Sequence, residues 1–336
     1  MGNMCTRKIT VLGDGGWGTT LAILLAKKGQ DVTLWSAFKE NIVSLAKKRV
    51  NQKFLPGITL PGSVHLTANL SSAVSSADLI ILAIPSQFIH KILRRIKSLN
   101  IPKGTVFLSV IKGIEVTTLM RISEIIHQEI GKNIKLAVLS GPTIAAEVAR
   151  NIPTAAVISS KDIRAARFLQ QLFTTDRFRV YTNSDVIGTE LGGSLKNIIA
   201  IACGISDGLN FGTNTKAALL SRGLVEMARL GVAMGARKET FSGITGLGDL
   251  VTTCVSPYSR NRFVGEQIGK GKKLKSILSK MDMVAEGVAT TKSGYFLSKK
   301  YNIYMPITEQ VYAILYKNKN PLKAVEDLMT RERKKE

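Results

Sequence analysis

The stretch Lys8-Ile-Thr-Val-Leu12-Gly13-Asp14-Gly15-Gly16-Trp17-Gly18-Thr19-Thr20 decides the fold. Its first five residues are largely apolar and β-branched, the composition of a short buried strand, and helical spacing begins at Gly18. The glycine turn between them reads G-x-G-x-x-G. One glycine permits the tight turn, the next lets the backbone approach a pyrophosphate, and Gly18 lets the helix pack close to the strand. The free amides of that helix start then face negative charge. Strand, turn and helix in this order give the motif its meaning as a dinucleotide cradle; the competing reading is a glycine turn with no ligand.

Working outward, short β-rich runs recur at 31–35, 78–84, 105–110, 135–139, 154–158 and 178–181, with helical stretches at 18–28, 39–48, 87–97, 119–128 and 163–173. Strands alternating with helices predict a mostly parallel sheet covered on both faces, a Rossmann-like α/β unit. After about residue 184 the β-rich runs stop. Helical spacing continues at 186–205, 214–234, 262–269, 274–281, 290–299 and 307–316, which predicts an all-α second domain. The division expected is 1–185 for dinucleotide binding and 186–336 for substrate binding and catalysis. The charged tail 331–336 reads as frayed.

The chain has 336 residues and 45% hydrophobic content, ample for packed cores and contrary to a disordered or fibrous chain. Cys5, Cys203 and Cys254 are scattered and odd in number, and His65, His90 and His127 are equally dispersed. That pattern gives neither a disulfide framework nor a metal site and favours a reducing, cytoplasmic setting. No apolar stretch such as 79–84 or 198–203 reaches the roughly 20 residues needed to cross a bilayer. Met1-Gly2-Asn3-Met4-Cys5-Thr6 matches a myristoylation pattern, a short match lying almost against the first strand. The 47 basic against 24 acidic residues leave a formal charge of +23. The basic runs at 27–28, 47–49, 94–95, 270–275 and 299–300 read as solvated faces in separate segments without interleaved aromatics, so no nucleic-acid partner is expected. A positive field instead concentrates small anionic ligands.

Several polar signatures lie at strand ends or in apolar helices. Ser140-Gly141-Pro142-Thr143 ends a predicted strand, where open parallel sheets bind ligands, though a plain turn into a helix reads equally well. Lys112 of Val-Ile-Lys-Gly sits at an equivalent strand end, near the same crevice, though by itself it reads better as a solvated lysine. Lys196 lies in the apolar run Glu190-Leu-Gly-Gly-Ser-Leu-Lys196-Asn197. Burial there lowers a lysine pKa toward the value a proton donor at a carbonyl requires; the alternative is a lysine snorkelling to the helix surface. Gly246-Leu-Gly-Asp249 and Ser259-Arg260-Asn261 place a carboxylate and an anion-holding trio in a stretch punctuated by glycine and proline, which also reads as an inter-helix loop. At the end of the second strand, where an acid would hold the ribose of NAD, stand Ser36-Ala37-Phe38-Lys39, so the choice between NAD and NADP stays open.

In order and spacing these motifs resemble the NAD(P)-dependent glycerol-3-phosphate dehydrogenases of the bacterial type over essentially the whole chain. Asn51-x-x-Phe54-Leu-Pro56, Phe178-Arg-Val-Tyr181 and Glu286-Gly287 add to the resemblance. It implies interconversion of dihydroxyacetone phosphate and sn-glycerol 3-phosphate, the backbone of phospholipids. It also implies roles. Gly13, Gly15, Gly16, Trp17, Gly18, Ser36 and Ala145 would serve the coenzyme, with Val284 and Glu286 closing over it. Lys112 would contact coenzyme and substrate; Gly141 and Thr143 would face the substrate. Lys196 would be the proton donor and Asp249 its orienting carboxylate. Ser259, Arg260 and Asn261 would hold substrate, with Arg260 also near the coenzyme. The chain departs from the family pattern at Asp14 (commonly Ala), Gly16 (Ser), Thr143 (Ser) and Ala37-Phe38 (one or more basic residues). A homodimer is compatible with the helical second half.

Overall fold

The computed structural model describes residues 6–333, so Cys5 and most of the lipidation pattern lie outside the described residues, as do the last three of the tail. The described residues form two compact units, 6–111 with 121–189 and 112–120 with 190–333.

The first unit holds β1 (Lys8–Leu12), α1 (Gly16–Lys27), β2 (Asp31–Trp35), α2 (Lys39–Lys48), β3 (His65–Thr67), α3 (Leu70–Val74), β4 (Leu79–Leu82), α4 (Ile89–Lys97), β5 (Val106–Ser109), α5 (Ile122–Ile130), β6 (Lys135–Ser140), α6 (Ala145–Ala149), β7 (Thr154–Ser159), α7 (Ile163–Phe173) and β8 (Phe178–Asn183). The eight strands make one sheet in the order β3-β2-β1-β4-β5-β6-β7-β8. Every neighbouring pair is parallel except β6 with β7. The central strands are continuous apolar runs because helices cover both faces: β4 and β5 are buried at every position. In α4, Ile89, Ile92, Leu93 and Ile96 recur at helical spacing and are the buried residues. Strand order reverses between β1 and β4, and the glycine turn leaves β1 at that point, where doubly wound sheets take ligands.

The sequence pattern missed β3, α3 and α6. They have three to five residues, too few for a period to register, and β3 is an edge strand with no buried position. The helix expected from 119 starts at Ile122, because Leu119 sits in the left-handed region at φ 60°.

The second unit is helical: α8 (Val186–Gly208, whose first residues belong to the first unit), α9 (Thr213–Ala233), α10 (Lys238–Ser242), α11 (Asp249–Val255), α12 (Arg260–Gly269), α13 (Leu274–Leu278), α14 (Glu286–Lys300), α15 (Pro306–Lys317) and α16 (Pro321–Met329). Of the two segments that also read as an inter-helix loop, the one before Asp249 is a π-helical turn, Ile244–Gly248, running directly into α11, whereas 256–259 is a loop between α11 and α12. Helix α8 has the length and hydropathy of a membrane span, yet 94% of that window is buried inside the protein. It is a core helix that its neighbours approach through glycine. A Cβ added at Gly204 would lie 2.0 Å from Arg262 O, and one at Gly265 would lie 2.1 Å from Ile201 O, so α8 and α12 touch backbone to backbone.

Candidate functional site

The turn in the first unit is built by removing side chains. Gly13 adopts φ 121°, and a Cβ there would meet Ala83 O at 2.5 Å; a Cβ at Gly18 would meet Gly13 O at 2.0 Å. The Gly13 amide donates to Trp35 O at 3.0 Å, which joins the turn to the end of β2 beside Ser36. A Cβ at Gly15 would meet nothing within 4 Å: this is the open side of the turn, shaped for a group that needs close backbone approach. Trp17 Nε1 is buried without a hydrogen-bond partner. Both features fit a bound dinucleotide.

Asp14, an odd residue beside a pyrophosphate, is held aside: its Oδ2 accepts from Asn41 Nδ2 at 2.8 Å. Its carbonyl accepts from Asn51 Nδ2 at 2.7 Å, and Asn51 Nδ2 also reaches Thr19 Oγ1 at 2.8 Å. Asn51 Oδ1 in turn accepts from the Phe54 amide at 3.1 Å. The Asn51-x-x-Phe54 motif, which had no role in the sequence reading, is thus a brace that fixes the turn. At the start of α6, Ala145 O accepts from Thr20 Oγ1 at 3.1 Å, drawing the first turn of α6 onto α1. Gly141 sits at φ 130°, its carbonyl accepts from Thr143 Oγ1 at 3.1 Å, and Ser140 Oγ is buried without a partner. Ser36 Oγ accepts from the Phe38 amide at 3.1 Å, and β2 ends with neither an acid nor an arginine.

The second unit gathers charge instead. A Cβ at Gly192 would lie 2.5 Å from Thr245 O, so the π-helical turn lies hard against α8 and feeds Asp249 toward Lys196, one turn further along α8. Lys196 Nζ donates to Asp249 Oδ1 at 2.5 Å and to Thr253 Oγ1 at 2.6 Å. Lys112 Nζ donates to the other oxygen, Asp249 Oδ2, at 2.9 Å. One carboxylate, 1% exposed, therefore bridges two lysines. Burial lowers the Lys196 pKa to about 8, with Lys112 pushing the same way and Asp249 opposing. A buried ammonium with a matched carboxylate can donate a proton near neutral pH without leaving its place.

Sequence reasoning missed two members of this cluster. Thr253 stands four residues after Asp249 on α11 and donates to Asp249 O at 2.7 Å, so its hydroxyl can accept from Lys196; the i,i+4 spacing was the available signal. Asn197 donates to Lys112 O at 3.1 Å and fixes the Lys112 backbone.

The predicted trio opens α12. Ser259 Oγ caps that helix by accepting from the Arg262 amide at 3.2 Å. Arg260 Nη1 donates to Val284 O at 2.8 Å; its burial lowers its pKa and the charge of Glu286 raises it. Asn261 Oδ1 accepts from the Gly287 amide at 2.9 Å, and a Cβ on Gly287 would lie 2.8 Å from both Asn197 O and Asn261 Oδ1. Helices α8, α12 and α14 thus converge at Gly287. Lys112, Lys196, Asp249, Ser259, Arg260, Asn261, Val284 and Glu286 belong to the second unit. Gly13, Gly15, Gly16, Trp17, Gly18, Ser36, Gly141, Thr143 and Ala145 belong to the first.

A glycine cradle at the switch point of a doubly wound sheet and a buried lysine poised to move a proton define the class, a dinucleotide-dependent oxidoreductase. The N-terminal and C-terminal domain models of the NAD-dependent glycerol-3-phosphate dehydrogenases match residues 8–166 and 185–326. The glycerol-3-phosphate dehydrogenase [NAD(P)+] of Citrifermentans bemidjiense is 52% identical over 332 residues, covering 98% of each chain. That of Bacillus pumilus is 50% identical over 327 residues, covering 97% of this chain and 94% of its own. The crystal structure of glycerol-3-phosphate dehydrogenase from Coxiella burnetii superposes with a TM-score of 0.94 at 39% identity, covering 97% of this chain and 99% of its own. The chain belongs to the NAD-dependent glycerol-3-phosphate dehydrogenase family.

Proposed function

We propose that the protein catalyses reversible reduction of dihydroxyacetone phosphate to sn-glycerol 3-phosphate with NADH or NADPH, making the backbone of glycerophospholipids. The observation that carries this reading is Lys196, buried and held 2.5 Å from Asp249 with its pKa brought down to about 8. When bound, the nicotinamide coenzyme supplies hydride to the carbonyl carbon or takes it back. As negative charge gathers on the carbonyl oxygen, Lys196 Nζ gives that oxygen a proton; in the oxidative direction it takes one from the alcohol. Asp249 keeps the ammonium aimed, and with Lys112 on its second oxygen it carries one negative charge between two positive ones. Arg260, the Asn261 amide nitrogen and the Ser259 O–H hold the substrate; Gly141 and Thr143 of the first unit are its further proposed contacts. Gly13, Gly15, Gly16, Trp17, Gly18, Ser36, Ala145, Val284 and Glu286 serve the coenzyme. The net charge of +23 concentrates phosphorylated substrate around the protein. The scattered cysteines support a cytoplasmic setting, and a homodimer is the assembly to test by sedimentation velocity.

The decisive assay offers dihydroxyacetone phosphate with NADH and, separately, with NADPH, and follows coenzyme absorbance. Consumption of either is the expected result. Coenzyme binding without turnover, with another 2-keto or 3-keto substrate reduced instead, would overturn the substrate assignment.

A further inference from the structure

We infer that the face formed by α14 and α15 docks on an anionic phospholipid bilayer. The two helices stack Tyr295 on Tyr312, with centroids 3.9 Å apart and planes within 1° of parallel. Phe296 meets Tyr312 edge-on at 6.0 Å, and Tyr316 lies 5.2 Å from Tyr312. The Tyr316 hydroxyl donates to Val288 O at 2.8 Å, which ties the far end of the cluster to α14. This organised aromatic cluster is not covered: Phe296 is 40% and Tyr316 39% exposed. Lysines frame it. Lys299 Nζ lies 5.3 Å from the Tyr295 centroid, and Lys317 Nζ lies 5.7 Å from that of Tyr312 and 6.0 Å from that of Tyr295. Between residues 287 and 319 the chain carries five lysines against one acid, Glu309, which stands 3.2 Å from Lys299; Lys319 is paired with Asp327 of α16, so the excess lies with the other lysines.

Charge decides among occupants. A second copy would bring lysine against lysine on a protein already at +23. A nucleic-acid strand would need open ring faces for base stacking, whereas Tyr295 and Tyr312 face each other and carry the two ammonium groups. An anionic bilayer asks for what the face offers. It takes exposed aromatic rings at headgroup level, and lysines whose stems lie along the rings while their charges reach lipid phosphates. Each such lysine strengthens membrane partitioning about fivefold, so the contact is peripheral, reversible and salt-sensitive. The inference rests on this surface alone, so failure of the turnover assay would leave it standing, and its own failure would leave the dehydrogenase reading standing.

The test is cosedimentation of the full chain with vesicles of phosphatidylcholine alone and of phosphatidylcholine mixed with phosphatidylglycerol. Pelleting with the mixed vesicles only is expected, with release at about 1 M salt, where the Debye length shrinks to about 3 Å. Lys299→Glu combined with Lys317→Glu should weaken partitioning by about 30-fold or more. Phe296→Ser should weaken it by about 5- to 10-fold through lost apolar contact. Both variants should keep the parent thermal midpoint and turnover, which shows that they fold. The inference is overturned if the parent ignores anionic vesicles, binds neutral ones equally, or is matched by the charge-reversed variant. A dimer-to-monomer change in that variant, or its loss of DNA retention with vesicle binding intact, gives the face to a second copy or to nucleic acid and overturns it equally.

Discussion

The glycine turn of the first unit and the lysine–aspartate cluster of the second are built by opposite means. The turn works by absence: at Gly13 and Gly18 a single methyl group would collide with backbone at 2.5 and 2.0 Å, and what remains to bind a ligand is the peptide chain itself. The cluster works by excess, two lysines and a carboxylate held where water is scarce. The first arrangement gives affinity that no titration alters. The second gives a group whose protonation is set near working pH by burial and a neighbouring charge. A dehydrogenase needs both, because the coenzyme must be held in every state while the proton must come and go.

Lys196→Ala breaks the contrast most sharply. It should reduce turnover by about 100- to 10,000-fold while coenzyme affinity, read by fluorescence titration, stays within about a factor of two. A matching loss of coenzyme affinity would mean that the two regions are not separable in function. Asp249→Asn should follow. It strands a buried ammonium, so unfolding free energy should fall by about 3–5 kcal/mol in denaturant titration. Asp249 opposes the downward shift of Lys196, so the variant's residual reduction should also decline with rising pH at lower pH than the parent's. A folded variant with an unmoved decline would remove Asp249 from control of that lysine.

Gly13→Ala tests the other side. At φ 121° and with Ala83 O in the way, strain of about 1–3 kcal/mol is expected, read as roughly 10- to 100-fold weaker coenzyme binding with the pH profile unchanged. In the parent, reduction should decline as pH rises through about 8, as Lys196 loses its proton, and oxidation should gain over the same interval. Initial rates at saturating substrate check this, and a flat profile from pH 7 to 9, about a unit either side, would discard the lysine as proton donor. The smallest effect is expected at Ala37→Arg, which supplies a cation beside Ser36 and should favour NADPH over NADH by about tenfold through one charge-assisted contact.

The same contrast explains what could be read in advance. The turn was legible because its requirements are local: strand, glycines and helix follow one another within a dozen residues. Lys196 could be read as an anomaly, a cation in an apolar helix, but nothing local said that Asp249, 53 residues away, would neutralise it. Thr253, which only its i,i+4 spacing signalled, and Asn197, quoted in a motif without a role, matter only once α11 and the chain near Lys112 have been placed. The oddity of Asp14 dissolves through Asn41, in a helix whose packing no motif announces. The basic run at 299–300 was read as free of aromatics, yet Tyr295, Phe296, Tyr301 and Tyr304 stand beside it in sequence. Their significance lies in the stacking across two helices, which linear spacing does not display.

Residues 112–120 leave the first unit between β5 and α5, settle with the second, and return. With the passage into α8, the chain therefore crosses between units three times. A gene cut near residue 185 would yield a nucleotide-binding fragment carrying Lys112 without Asp249 and Asn197, and a helical fragment whose Asp249 has lost one of its two cations. Neither half is a module that recombination could trade intact, and a line of descent that exchanged one would have to reinvent the loop. Such interlacing ties the inheritance of the two halves together as firmly as it ties their chemistry.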